Sequence, residues 1–113
     1  MPFTNAKERL FIRPARVNDI SAIIDLSNRA YAGTGMHGYT VAPLNGQITT
    51  FPEGQFVAVL GDRTVGYCAT FLISGKVALA PHDWTSITGN GFASRHDPNG
   101  YWLFGMGVCV DPG

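Results

Sequence analysis

Residues Tyr101 to Gly113 read YWLFGMGVCVDPG, and their reading decides the fold. Tyr101 to Val110 is aromatic, aliphatic or glycine throughout and carries no charge, the pattern of a strong core strand. Gly105 and Gly107 interrupt it. A glycine inside a strand gives up side-chain packing and marks a bulge or a place where a ligand approaches the backbone. Only Asp111-Pro112-Gly113 follow. A core strand is expected to have neighbours on both sides, so the sequence reads as part of a larger sheet.

Working outward, Gln55 to Leu60 (QFVAVL) and Thr64 to Ile73 (TVGYCATFLI) flank Gly61-Asp62-Arg63, which predicts a hairpin with a three-residue turn. Both runs are apolar at nearly every position, so the sheet is expected to be covered on both faces. Leu10 to Pro14 reads as a short strand that Pro14 ends or holds at a sheet edge. After it, Ile20, Ile23, Ile24, Ser27, Ala30 and Tyr31 recur at helical spacing, with Asn18 as N-cap, Asp19 in the first turn, and Gly33 and Gly35 as stops. Residues 33–54 are a polar loop with room for a short second helical segment, and 74–100 a loop of little regular structure. One predicted helix cannot cover two faces of a sheet.

The 113 residues hold 8 basic and 8 acidic side chains, so no cationic surplus exists to neutralise phosphates and a nucleic-acid partner is not expected. With 45% hydrophobic and 14% charged residues the chain is a folding domain, not a disordered one. No apolar run approaches the roughly 20 residues of a membrane span. Met1 to Arg9 lack the apolar core of a signal peptide, which makes the cytoplasm the expected compartment. Cys68 and Cys109 sit in apolar runs without a CxxC or a Cys/His cluster; they read as buried reduced thiols, and no metal site is expected.

The order strand, helix, loop, hairpin, strand ending in V-x-P resembles the first half of the GNAT superfamily of acyl-CoA-dependent N-acyltransferases. Ile12-Arg13-Pro14-Ala15 with its capped helix, Gln55-Phe56-Val57-Ala58, Val65-Gly66-Tyr67 and Gly107-Val108-Cys109-Val110-Asp111-Pro112 carry the resemblance. Trp84, Ile87-Thr88-Gly89, Gly91, His96-Asp97-Pro98, Gly100, Trp102-Leu103 and Gly105 look like a subgroup in which this domain can precede a carbon–nitrogen hydrolase domain. The resemblance implies an α/β (α+β) fold, a mixed, mainly antiparallel sheet with a flanking helix. Residues 10–113 would be the N-terminal part of the acetyltransferase domain, before its pyrophosphate-binding loop, and 1–9 an N-terminal extension. It implies acetyl-CoA as cosubstrate, a primary amine as acceptor, and the backbone of Val108, Cys109 and Val110 as the edge that pairs with the pantetheine arm. An isolated portion is then expected to bind acetyl-CoA weakly, to be inactive, and to be marginally stable with an exposed apolar face. Relatives carry a carboxylate in the last strand, where this sequence has Gly107.

Other residues admit two readings. His96-Asp97 suits a base and its orienter, but Asp97-Pro98-Asn99-Gly100 is a strong turn signal. His82 reads as a loop residue, and His37, near Gly35 and Gly38, as a group that faces an acceptor. Tyr31 and Tyr39 are candidates to line an acceptor groove, though Tyr31 also continues the apolar helix stripe. Gly89-Asn90-Gly91 looks like a phosphate loop only superficially, lacking a preceding strand and following helix. The rival architectures are a PAS-like ligand-sensing module and a non-catalytic GNAT-like domain that regulates a fused hydrolase.

Overall fold

The computed structural model describes residues 9–113. The extension expected over 1–9 lies outside the described residues apart from Arg9. Four strands form one sheet in the order β1-β2-β3-β4: β1 (Leu10–Pro14), β2 (Gln55–Leu60), β3 (Arg63–Ile73) and β4 (Trp102–Val110). Every neighbouring pair is antiparallel. Among the described residues four helices accompany it: α1 (Ile20–Ala30), α2 (Val41–Thr50), α3 (Gly75–Leu79) and α4 (Trp84–Thr88). This is the α+β architecture expected from the sequence.

The helix signal after β1 is realised one step later than predicted. A 3-10 turn over Val17–Asp19 precedes α1, and the capping group is Asp19, not Asn18. The Asp19 carboxylate accepts the Arg16 N–H at 2.8 Å and two guanidinium bonds from Arg13, each 2.8 Å. It thereby satisfies an amide at the start of the turn and locks the β1–α1 corner. The hairpin turn is also tighter than predicted. Leu60 pairs directly with Arg63 and only Gly61-Asp62 lie between, Gly61 at φ +63°. The loop expected over 33–54 contains ten-residue α2, whose Leu44, Gln47 and Ile48 form one buried stripe.

The core lies on one face of the sheet. Ile23 and Leu26 of α1, Leu44 and Ile48 of α2 and Ile87 of α4 pack with Val57, Tyr67, Ala69, Phe71 and Cys109. Among the described residues the opposite face is open. Its rows Ile12–Ala58–Gly66–Val110 and Pro14–Phe56–Cys68–Val108 follow from the register, and Ile12, Val108 and Val110 are each more than 60% exposed. The expectation of cover on both faces is therefore not met among the described residues, because all the helices that reach the core pack on the same side. Cys68 and Cys109 fall on opposite faces of neighbouring strands and are free thiols, Cys109 buried and Cys68 half-buried.

Where β3 runs past the end of β2, side chains replace the missing strand. Gln55 Nε2 donates to the Phe51 and Thr70 carbonyls at 2.8 and 2.6 Å, and its Oε1 accepts Thr70 N–H at 3.0 Å. One step on, Asp97 N–H donates to the Leu72 carbonyl at 2.8 Å and His96 Nδ1 accepts Leu72 N–H at 3.0 Å. These bonds answer the requirement that buried backbone groups be paired.

Candidate functional site

The connection from α1 to α2 is held against α1 by short-range chemistry. Ser27 Oγ donates to the Ile24 carbonyl and accepts the Tyr39 N–H, both at 2.8 Å. Gly38 lies so close to α1 that a Cβ there would run into the Asn28 and Ser27 side chains. Tyr39 is thereby fixed over the sheet, between Tyr31 and Tyr67. Its ring meets both edge-to-face, with centroids 5.9 and 6.0 Å apart.

From the other side, Asp83 caps α4 by accepting the Ser86 N–H at 2.7 Å, which sets Trp84 at the head of the helix. The Trp84 indole N–H donates to the Met106 carbonyl at 2.9 Å. Met106 is the extra residue of a bulge in β4, since Ala69 pairs with Gly107 but Thr70 with Gly105. The interruption that Gly105 and Gly107 signalled is thus a bulge. Between these walls lies a cleft of about 510 Å³, floored by Tyr67, Ala69, Met106 and Gly107. That volume suits a small-molecule group.

The polar groups at the back of the cleft are uncharged. Tyr67 O–H donates to Gln47 Oε1 at 2.6 Å, and Gln47 Nε2 donates to the Gly91 carbonyl at 2.7 Å. The Tyr31 and Tyr39 hydroxyl oxygens are 3.3 Å apart. Burial lifts the Tyr67 hydroxyl, and burial together with the bond to Tyr31 lifts Tyr39, well above the usual tyrosine range. Both phenols are donors at neutral pH. Burial likewise pushes the Cys109 thiol up, keeping it protonated. Among the described residues lining the cleft none is a carboxylate, lysine or arginine.

Beside the cleft runs the outer edge of β4. Asp111 N–H donates to the Val65 carbonyl at 2.8 Å, which fixes the phase of the β3–β4 ladder. Antiparallel alternation then turns Gly107 and Cys109 toward β3 and points the N–H and C=O of Val108 and Val110 outward. No described strand pairs with that edge. Val108 and Val110 present free backbone groups, whereas those of Cys109 are engaged by Tyr67.

The structure brings Tyr31, Tyr39 and His37 to one cleft, His37 at its exposed mouth. It does not bring His96-Asp97 there. His96 stacks on Phe51, with ring centroids 4.4 Å apart, and its Nδ1 is used by Leu72. Asp97 accepts the Asn99 N–H at 2.9 Å as turn chemistry requires. His82 is a loop residue whose Nδ1 lies 2.9 Å from the Ala80 carbonyl oxygen. Gly89-Asn90-Gly91 ends α4 instead of opening a helix; its amides are consumed by Ser86, Thr85 and Thr88. Gln47 had no assigned role, although its place between Leu44 and Ile48 on the α2 stripe was the signal that it faces inward. Among the described residues no group of His, Cys, Asp and Glu has metal-binding geometry.

Comparison with solved structures identifies the fold. The chain superimposes on GphF, a GNAT-like decarboxylase solved with isobutyryl-CoA, with TM-score 0.72 and 31% identity over 90% of this chain and 49% of that one. The fold is that of GNAT-like domains. The loading GNATL domain of CurA from Lyngbya majuscula shares the fold, with TM-score 0.73 and 19% identity over 92% of this chain and 49% of that one. Among curated proteins, the chain is 31% identical over 112 residues to "Probable hydrolase YhcX" of Bacillus subtilis (strain 168). It is 27% identical over 107 residues to "Uncharacterized N-acetyltransferase YkwB" of the same organism. These alignments take in 99% and 93% of the chain but 21% and 47% of the relatives' lengths. No family model matches the sequence. The PAS-like alternative is set aside by the fold. No helix among the described residues is long and apolar enough to cross a membrane.

Proposed function

We propose that residues 10–113 are the N-terminal part of an acyl-CoA-dependent N-acetyltransferase domain. Acetyl-CoA would lie along the outer edge of β4, and a primary amine would enter the cleft. The observation that carries this reading is the free backbone of Val108 and Val110, next to the bulge and bordering the cleft. An extended pantetheine arm carries amides that pair with such an edge as an added strand does. Cys109 serves through its pairing with Tyr67, which holds its neighbours in phase. GphF, with isobutyryl-CoA bound, supports an acyl-CoA thioester as the ligand class, and YkwB supports N-acetyl transfer.

An outward N–H beside the thioester carbonyl would stabilise the negative charge that develops there. The amine nitrogen attacks the carbonyl carbon, the tetrahedral adduct collapses, and the C–S bond breaks to release CoA thiolate. The ammonium proton leaves through water, since Gly107 supplies no carboxylate and His37 stands only at the mouth. By the YhcX relationship, a hydrolase domain would follow in the complete protein, which would act in the cytoplasm.

A second reading follows from a cleft lined by no described carboxylate, lysine or arginine and from the 31% identity to a decarboxylase. A carboxyacyl thioester would lose CO2 there, leaving an enolate for the phenols to stabilise. One assay, run on the complete protein, separates the two. Thiol release from acetyl-CoA that depends on a primary amine supports transfer, CO2 release from a carboxyacyl-CoA supports decarboxylation, and neither product favours the non-catalytic regulatory domain.

A further inference from the structure

Three polar side chains of the cleft are committed to its walls: Tyr67 to Gln47, Gln47 to Gly91 and Trp84 to Met106. Tyr31 and Tyr39 are different. Their two hydroxyls, 3.3 Å apart, form one hydrogen bond and leave one O–H to donate. A Cβ placed on Gly107 would meet a single neighbour, Tyr39 Oη at 3.4 Å. The Tyr39 hydroxyl therefore stands over bare backbone, one residue from Val108 and its outward amide.

We infer that Tyr39, whose O–H rests on Tyr31, turns it to the carbonyl oxygen of an acyl group lying over Gly107 and takes the Tyr31 O–H in exchange. This rests on the acyl-CoA reading above and adds a side-chain donor to the backbone one. The ring is braced on Tyr31 and Tyr67, and the peptide N–H is tied to Ser27, so the donor is held in place before the ligand arrives. Tyr31 strengthens it, because a hydroxyl that accepts one bond donates the next more strongly. During attack the carbonyl π pair moves to oxygen, and Tyr39 bonds that oxyanion without surrendering its proton. On collapse the pair returns and the thiolate leaves. In this chain Gly107 leaves open, beneath the Tyr39 hydroxyl, the space that a side chain would fill.

The test uses the S-acetyl thioester of N-acetylcysteamine, 13C-labelled at the thioester carbonyl, titrated into the protein and into its Tyr39→Phe and Gly107→Ala variants. Near-ultraviolet circular dichroism checks that each variant keeps its packing. Wild type is expected to bind and to move the carbonyl resonance downfield. Tyr39→Phe keeps the ring but loses that shift and binds roughly three- to tenfold more weakly, the worth of one neutral hydrogen bond. Gly107→Ala, whose methyl makes ordinary contact with Tyr39 Oη, loses the shift as well. Equal shift and affinity in wild type and Tyr39→Phe overturn the role of Tyr39 and leave the acyl reading standing. Absence of thioester binding by wild type overturns both.

Discussion

Replacing Tyr67 with Phe tests whether the cleft is a built polar wall or a chance hollow. Tyr67 is 3% exposed and Gln47 8%, and a 2.6 Å bond joins them. Phenylalanine keeps the ring, so packing is nearly unchanged and the loss is confined to the hydroxyl. Gln47 cannot turn away, because its Nε2 is held by the Gly91 carbonyl. Its Oε1 is left buried without a donor, a loss of about 1–3 kcal/mol. For a domain of this size that lowers the melting temperature by roughly 5–15 °C, readable by thermal circular dichroism. The same groups set an alkaline limit. Burial raises the folded-state pKa of Tyr67 and Tyr39 above the unfolded value near 10, so the folded state binds more protons at high pH. Their stabilisation is fully present below about pH 10 and is lost as pH rises beyond it. Tyr67→Phe should flatten that alkaline decline. A variant that melts within about 1 °C of wild type, with an unchanged alkaline decline, would refute the reasoning.

Two further perturbations address the scaffold. Asp19→Ala removes the cap on the turn before α1 and the partner of Arg13, and is expected to cost about 0.5–2 kcal/mol in chemical denaturation, with Asp19→Asn restoring most of the cap contribution. Gly100→Ala would drive a methyl into the Ile73 backbone, so it should destabilise by at least about 2 kcal/mol or prevent folding, whereas Gly113→Ala, with open space around it, should be neutral.

The strands were legible because each is a dense apolar run bounded by turn residues, and α1 because its stripe has one clear period. The Gly105–Gly107 interruption announced the bulge, since few strands tolerate two glycines without one. Helix α2 was harder to read. Pro43, Gly46 and two threonines dilute its signal, and it is stabilised by packing Leu44 and Ile48 against α1 and the sheet instead of by propensity. The N-cap was misplaced by one residue because Asp19 gains the Arg13 pair, a contact between elements that local preference does not contain. His96-Asp97 is a similar case. Its true partner is the Leu72 backbone, 24 residues away in sequence, and only the short length of β2 creates that need. For the cleft, the sequence supplied Tyr31, Tyr39 and His37. Gln47 and the committed state of Tyr67 and Trp84 depend on pairings across the fold that no local pattern encodes.

The central claim is that the free edge of β4 is where an acyl-CoA lies, and amide chemical-shift mapping with acetyl-CoA tests it most directly. At saturating ligand the largest perturbations are expected at the outward amides of Val108 and Val110, spreading to Gly107 and Tyr39, with the inward amide of Cys109 shifting less. Perturbations confined to the open sheet face around Ile12 and Phe56, or none at β4, would contradict it.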